Sequence, residues 1–148
     1  MRIAVGADHG GYPLNERVIE ELRTAGHEIT DFGTHDGSIS DDYSDYAREV
    51  GQAIQRNAAG LGILICGSGV GASVAANKLK GVRAALCGDT YSAHQSREHD
   101  DCNILCLGAR VTGVELAVEI VRVFVAARFT GEERHRRRLK KVLEIERL

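Results

Sequence analysis

The sequence lacks long apolar runs, a strong charge of either sign and the cysteine spacing that marks metal or disulfide frameworks. No apolar run approaches the ~20 residues of a membrane-spanning helix, and no charged-then-apolar signal segment follows Met1. We therefore expect a cytoplasmic protein with no membrane partner. The net charge is only -2, which argues against a surface dedicated to nucleic acid.

Cysteine and proline are also scarce, with four and one residues respectively. The cysteines lie on or near apolar stretches without Cys-x-x-Cys spacing, so we expect reduced thiols and no metal site. They are Cys66, Cys87, Cys102 and Cys106. No linker, repeat or low-complexity segment interrupts the chain, so we expect residues 1–148 to form one domain. A chain of this length buries roughly two thirds of its unfolded surface and needs no disulfide or metal to fold.

Short apolar runs alternate with longer amphipathic segments along the chain. Five runs predict strands, namely RIAVGA, HEITDFG, LGILIC, RAALCG and NILCLGA. Apolar residues at helical spacing between and after these runs predict helices, the last of them charged and close to the carboxyl terminus. The alternation predicts a three-layer α/β/α, Rossmann-like domain with a parallel sheet of about five strands. Ligands of such sheets bind beyond the carboxyl ends of the strands.

The apolar run LGILIC ends at Cys66 and is followed at once by the loop GSGVG. A helix that begins in this loop exposes N–H groups that can bind phosphate or an oxyanion. Cys66 then lies at the positive end of a helix, which favours the thiolate and makes the residue a candidate proton acceptor. By itself the pattern favours a small buried cysteine followed by a tight strand-to-helix turn.

Two familiar motifs are incomplete in this chain. A dinucleotide-binding Gly-x-Gly-x-x-Gly loop needs bare backbone where GADHGG carries Asp8 and His9. A Gly-x-Ser-x-Gly nucleophile elbow needs glycines where Cys66 and Val70 flank Ser68. We therefore expect neither a nicotinamide cofactor nor a serine nucleophile.

Seven segments, in order and over nearly the full chain, together resemble the RpiB/LacAB family of sugar-phosphate isomerases. They are GADHGG, DFGTH, DDYSDYA, ILICGSGVGASVAANKLKGVRAALC, YSAHQSREHD, NILCLGARVTG and GEERHRRRLKKV. The resemblance implies an aldose-ketose isomerase that interconverts D-ribose 5-phosphate and D-ribulose 5-phosphate through a cis-enediolate, with no metal or other cofactor. It also implies a homodimer, or a tetramer of paired dimers, in which the neighbouring chain completes each active site.

The resemblance assigns the central chemistry to two residues. Cys66 corresponds to the base that removes a proton from C2 of the open-chain sugar phosphate, and His99 to the residue that opens the furanose ring. The main-chain N–H groups that stabilise the enediolate belong to Gly67, Ser68, Gly69, Val70 and Gly71. Ser68 stands where many family members have threonine, a mild departure that keeps the hydroxyl.

Further residues are assigned to sugar binding by the same resemblance. Asp8 and His9 correspond to a pair that grips sugar hydroxyls, and Tyr43 to a tyrosine beside the sugar. Without the family, Asp8 and His9 fit ordinary turn residues equally well, and Tyr43 fits a core aromatic at a helix start.

The resemblance also assigns phosphate binding to arginines near the carboxyl terminus. Arg134 and Arg138 are one helical turn apart, so both can converge on a single anion. The family places phosphate-binding arginines at these positions, with Arg110 also in the pocket. The rest of the run RHRRRLKK lies among glutamates, which predicts a solvated helix face and no nucleic-acid partner. Leu139, Val142 and Leu143 form an apolar stripe that could dock on a second chain.

Asp100 departs from the family, which usually has asparagine after the histidine. An ionised aspartate only accepts hydrogen bonds, whereas asparagine also donates, so the change removes a donor and adds a negative charge. Two alternative functions stay open at this point. One is isomerisation of another sugar phosphate, such as allose, galactose or erythrulose phosphate. The other is a non-catalytic sugar-phosphate-binding module in which Cys66 is inert.

Overall fold

The five apolar runs form the strands of one parallel sheet in the computed structural model, which describes residues 1–148. The strands are β1 (Arg2–Ala7), β2 (Glu28–Asp31), β3 (Leu61–Cys66), β4 (Ala84–Leu86) and β5 (Ile104–Gly108). The strand predicted from RAALCG shrinks to the three residues of β4, because it lies at an edge and pairs only with β5.

Six helices connect and cover the strands. They are α1 (Tyr12–Thr24), α2 (Tyr43–Gln55), α3 (Val70–Ala76), α4 (Thr90–Asp100), α5 (Val114–Ala126) and α6 (Glu133–Ile145). Pro13 lies in the first turn of α1, where its missing N–H costs no hydrogen bond. None of the six helices combines the length and the apolar composition needed to cross a bilayer.

Side chains of the central strand alternate between two cores. In β3, Ile63 and Ile65 pack with residues of α1 and α5, whereas Leu64 and Cys66 pack with residues of α2 and α3. Every residue of β3 is buried, as expected for a strand covered by helices on both faces. The predicted three-layer α/β/α fold with five parallel strands is confirmed.

The strand order β2-β1-β3-β5-β4 contains one change of direction. From β1 the chain moves to one edge of the sheet, and from β3 it moves to the other edge. The helices after β1 and β3 therefore diverge and leave a crevice beyond the carboxyl ends of these two strands. This crevice is where the fold favours a ligand site.

Candidate active site

A cavity of about 300 Å³ opens at the crevice beyond β1 and β3. Its lining includes seven residues that the sequence singled out: Asp8, Tyr43, Cys66, Gly67, Ser68, Gly71 and Arg110. They come from four separate segments of the chain. The fold thus gathers at one place the segments that follow β1, β3 and β5, together with the start of α2.

The largest cavity of the chain lies elsewhere. It measures about 880 Å³ and follows the outer side of α1, where polar and charged side chains such as Glu16, Arg17 and Arg23 form most of its lining. Its lining contains no cysteine and none of the residues of the glycine loop after β3. We therefore assign the site by its chemistry and its place in the fold and not by volume.

The Cys66 thiol is buried at the end of β3, with only 4% of the residue exposed. Its Sγ accepts a hydrogen bond of 3.1 Å from the Gly69 N–H. Gly69 has φ +83°, and a Cβ at that position would lie 2.5 Å from Leu86 Cδ1 and 3.0 Å from the Leu107 carbonyl carbon. Only glycine fits this turn, and the turn aims an N–H at the sulfur, where it stabilises a thiolate.

An aromatic ring and a cation lie over the two ends of the glycine loop. A Cβ at Gly71 would come within 2.6 Å of the Tyr43 ring, which is therefore packed against the loop backbone. At the other end, a Cβ at Gly67 would lie 3.0 Å from Arg110 Nη1. The backbone N–H of Arg110 also donates a hydrogen bond to the Gly67 carbonyl oxygen at 3.0 Å. Arg110 thus supplies a positive charge beside Cys66.

Asp8 and His9 follow β1 and are held by local contacts. Asp8 is buried, and its Oδ1 accepts a hydrogen bond of 2.9 Å from the Gly11 N–H. His9 Nδ1 lies 2.7 Å from Asp41 Oδ1. The sequence predicts no cluster with metal-ligand geometry, yet Asp8, His9 and Asp41 place one ligand atom each within 4.8 Å of one another. Asp41 begins the segment DDYSDYA, but the resemblance gives it no role, and 32 residues separate it from His9 in the chain.

His99 lies in a second group of side chains, on α4 and α6. Its Nδ1 is 2.9 Å from Gln95 Nε2, one helical turn earlier. Its ring stacks on His135, with the ring centroids 4.0 Å apart and the planes tilted by 34°. His135 Nδ1 is 2.8 Å from Thr130 Oγ1. The sequence alone gives His135 no definite role, and no spacing rule links it to His99.

His135 is the most buried histidine of the chain, with 1% of the residue exposed. Burial lowers the pKa of its imidazole, and the neighbouring His99 and Arg134 lower that pKa further. Its Nε2 has no hydrogen-bond partner within the chain. The charged form is therefore disfavoured, and the ring offers a neutral surface to His99.

The second group lies at the opposite end of the strands from Cys66. Helix α4 begins beyond the carboxyl end of β4 and ends where residues 101–103 lead into the amino end of β5. The five residues of β5 then span about 16 Å at ~3.3 Å per residue. Cys66 and His99 of one chain thus lie at opposite ends of the sheet.

Asp100 and Arg138 share a separate cavity of about 410 Å³ between α6 and the β4 edge. Leu139, Val142 and Leu143 also line it, so the predicted docking stripe faces its own chain in part. Val142 keeps 51% of its surface exposed. Arg134 lies outside this cavity, where its Nε donates to Glu132 Oε2 at 2.8 Å. Neither arginine lines the Cys66 cavity of the same chain.

Comparison with known proteins finds relatives along nearly the whole chain. Residues 3–142 match the protein family described as Ribose/Galactose Isomerase. Ribose-5-phosphate isomerase B of Escherichia coli is 43% identical over 145 residues, which cover 98% of this chain and 96% of that protein.

Solved structures give the same result. Ribose-5-phosphate isomerase B of Clostridium thermocellum has 47% identity and a TM-score of 0.96, over 99% of this chain and 98% of that one. The Mycoplasma genitalium enzyme of the same name, solved with bound ribulose-5-phosphate, has 39% identity and a TM-score of 0.93, over 99% and 96% of the two chains. Since sequence and fold agree along nearly the whole length, the chain belongs to the ribose/galactose isomerase family, the RpiB/LacAB family that its motifs resemble.

Proposed function

We propose that the chain interconverts D-ribose 5-phosphate and D-ribulose 5-phosphate, with Cys66 as the base. The observation that carries this proposal is the hydrogen bond from the Gly69 N–H to Cys66 Sγ at the edge of the 300 Å³ cavity. A thiol in that position can hold the negative charge that a base needs. The cavity volume is at the lower end of the range of about 300 to 1,000 Å³ that is usual for small-molecule sites.

The reaction needs only proton transfers. The Cys66 thiolate takes the proton from C2 of the open-chain aldose, and the electron pair left behind forms the cis-enediolate. Main-chain N–H groups of residues 67–71 and the Arg110 guanidinium stabilise its negative oxygens. A proton passes from O2 to O1 of the enediolate, and the Cys66 thiol returns its proton to C1, which yields the ketose. Oxidation of C2 balances reduction of C1 within one molecule, so no external electron carrier takes part.

We assign ring opening to His99 and phosphate binding to Arg134 and Arg138, all supplied by a second copy of the chain. This assignment is supported by the position of the last turn of α4, which carries His99, and of the start of α6, which packs on it, because both lie at the far end of the sheet from Cys66. In such a homodimer, the Cys66 end of one chain meets the His99 end of the other, and this completes each active site. A tetramer of paired dimers contains the same sites. His99 Nδ1 faces the Gln95 amide, which leaves Nε2 to exchange a proton with the sugar.

A second candidate is isomerisation of a different sugar phosphate. The family description names galactose beside ribose, and Asp100 places an acceptor-only carboxylate next to His99. A sugar whose hydroxyl donates a hydrogen bond to Asp100 would bind better with aspartate than with asparagine at this position.

A coupled assay over a panel of sugar phosphates tests the proposal. The panel contains ribose 5-phosphate, allose 6-phosphate, galactose 6-phosphate and erythrulose 4-phosphate. We expect the highest kcat/KM for ribose 5-phosphate. A higher value for another sugar would favour the second candidate, and no turnover of any sugar would reject the enzyme.

Thiol labelling separates an isomerase from a non-catalytic binding module. Burial raises the pKa of Cys87 to about 11 and that of Cys102 to about 12, and it raises the pKa of Cys106 as well. These three thiols stay protonated and react slowly at neutral pH. We expect an alkylating reagent to modify Cys66 first and ribose 5-phosphate to protect it. Equal and slow modification of all four cysteines would indicate an inert Cys66.

A further inference from the structure

Asp41, in the loop before α2, accepts hydrogen bonds from two separate segments of the chain. Its Oδ1 accepts from the His9 backbone N–H at 2.8 Å and lies 2.7 Å from His9 Nδ1. Its Oδ2 accepts from the Tyr46 hydroxyl at 2.6 Å. The carboxylate therefore connects the loop after β1 to the first turns of α2, and it meets three donors at once.

The contact with Asp41 decides which ring nitrogen of His9 carries the hydrogen. Burial raises the pKa of Asp41, but hydrogen bonds from His9 and Tyr46 outweigh it and hold that pKa below its ordinary value. An ionised carboxylate only accepts hydrogen bonds, so His9 Nδ1 must donate. The Asp41 N–H also lies 3.3 Å from the same nitrogen, but this contact is longer and weaker. In the neutral ring, a hydrogen on Nδ1 leaves Nε2 as an acceptor.

That second nitrogen is free and belongs to the residue that follows Asp8 of the candidate active site. His9 Nε2 makes no hydrogen bond within the chain, and 31% of the side chain is exposed. A ring nitrogen of His9 lies within 4.8 Å of a carboxylate oxygen of Asp8, which lines the Cys66 cavity. The loop after β1 thus carries an acceptor with no partner on the residue next to Asp8 of the cavity lining.

We infer that Asp41 is a positioning residue that fixes a hydrogen on Nδ1 of His9, so that Nε2, whenever the ring is neutral, accepts a hydrogen bond from a substrate hydroxyl. An acceptor selects a hydroxyl over a carbonyl oxygen, because a carbonyl has no hydrogen to donate. His9 therefore favours one orientation of the bound sugar, in which a carbon that carries a hydroxyl group, and not the carbonyl carbon, faces the loop after β1. The identity of the ligand as a sugar phosphate rests on the proposed function, whereas the tautomer is a property of the free chain.

The Asp41→Asn variant tests the inference without a change of size. Asparagine offers one acceptor oxygen to the three donors that meet Asp41, and its amide group is itself a donor. We expect ¹⁵N NMR of the histidine rings at about pH 8, where histidine is neutral, to show His9 of the unmodified chain with hydrogen on Nδ1 and a bare Nε2. In Asp41→Asn a substantial share of His9 should carry hydrogen on Nε2. For ribose 5-phosphate, kcat/KM should fall by about 3- to 10-fold, the loss expected for one neutral hydrogen bond.

Two control variants separate positioning from general damage. Asp42→Asn changes the neighbouring, exposed carboxylate, which makes no capping hydrogen bond to α2, and should leave the His9 spectrum and kcat/KM unchanged. Tyr46→Phe removes the donor to Oδ2 alone and should keep the hydrogen of His9 on Nδ1.

The spectrum of the unmodified chain decides the inference by itself. A hydrogen on Nε2 of neutral His9 in that spectrum would overturn it, even if Asp41→Asn fails to fold. An unchanged tautomer and unchanged kcat/KM in folded Asp41→Asn would overturn it as well. If the chain turns over no sugar phosphate, the proposed function fails and the tautomer still tests the role of Asp41.

Discussion

The rings of His99 and His135 stack with their centroids 4.0 Å apart, although 36 residues separate them in the chain (135 minus 99). Two imidazolium ions at that separation repel each other, so the pair does not readily carry two charges. Burial and the neighbouring His99 lower the pKa of His135, which keeps it in the neutral form. The pair therefore links the stability of the α4–α6 contact to pH.

The first prediction concerns acid sensitivity. Because the folded-state pKa of His135 lies below its ordinary value of 6.5, the unfolded chain binds more protons as the pH falls below that value. Stability should therefore fall from about pH 6.5 downwards, until the pH passes the folded-state pKa. In His135→Gln, Tm should depend less steeply on pH in this window. His94→Gln, on the outer part of α4, is the control and should keep the slope of the unmodified chain. An equal slope in His135→Gln would contradict the prediction.

The second prediction concerns the proposed base. Cys66→Ala should fold normally and lose at least ~100-fold in kcat, the low end for removal of a general base. Steady-state kinetics and thermal unfolding measure the two properties. Cys87→Ala removes another buried thiol, outside the cavity, and should keep its kcat. Turnover of Cys66→Ala close to that of the unmodified chain would exclude Cys66 from the mechanism.

The third prediction concerns the origin of the phosphate ligands. Arg138→Ala should weaken substrate binding by about 1.5 to 3 kcal/mol, the usual loss for a hydrogen bond to a charged group. Arg137→Ala, its exposed neighbour, should leave KM unchanged. Mixing Cys66→Ala with Arg138→Ala should restore part of the activity, since a hybrid dimer contains one intact site. If verified subunit exchange restores nothing, both residues of a site come from one chain.

The fourth prediction concerns Asp100, which lines the cavity beside Arg138. A carboxylate there repels a phosphorylated substrate and the developing enediolate, and it removes a donor. Asp100→Asn should therefore raise kcat/KM for ribose 5-phosphate, whereas Asp45→Asn, on the exposed side of α2, should have no effect. A clear drop in kcat/KM for Asp100→Asn would show that the carboxylate belongs to the native mechanism and would point to another sugar.

Local patterns in the sequence were sufficient for the strands and for one half of the site. The LGILIC run ends where β3 ends, so the sequence alone is enough to place Cys66 and its glycine loop at a strand end. The charged helix predicted close to the carboxyl terminus is α6, which begins at Glu133. The contacts of Asp41 with His9 and of His135 with His99 could not be predicted from the sequence. The partners are distant in the chain and meet only through tertiary packing.

The sequence also could not reveal the distance between the two predicted halves of the site. Motif order places His99 after Cys66 in the chain, but only the course of α4 shows that they lie at opposite ends of the sheet. The proposal of a shared site therefore depends on the direction of α4 relative to the strands, which only the structure gives.

The separation of the two groups in one chain has a genetic consequence under the shared-site arrangement. A chain that carries both Cys66→Ala and Arg138→Ala has neither working half. When it pairs with an intact chain, each of the two sites receives one damaged half, so the whole dimer is inactive. Such a double variant, expressed beside the normal gene, would act as a dominant inhibitor, whereas either single variant would leave its mixed dimers half active.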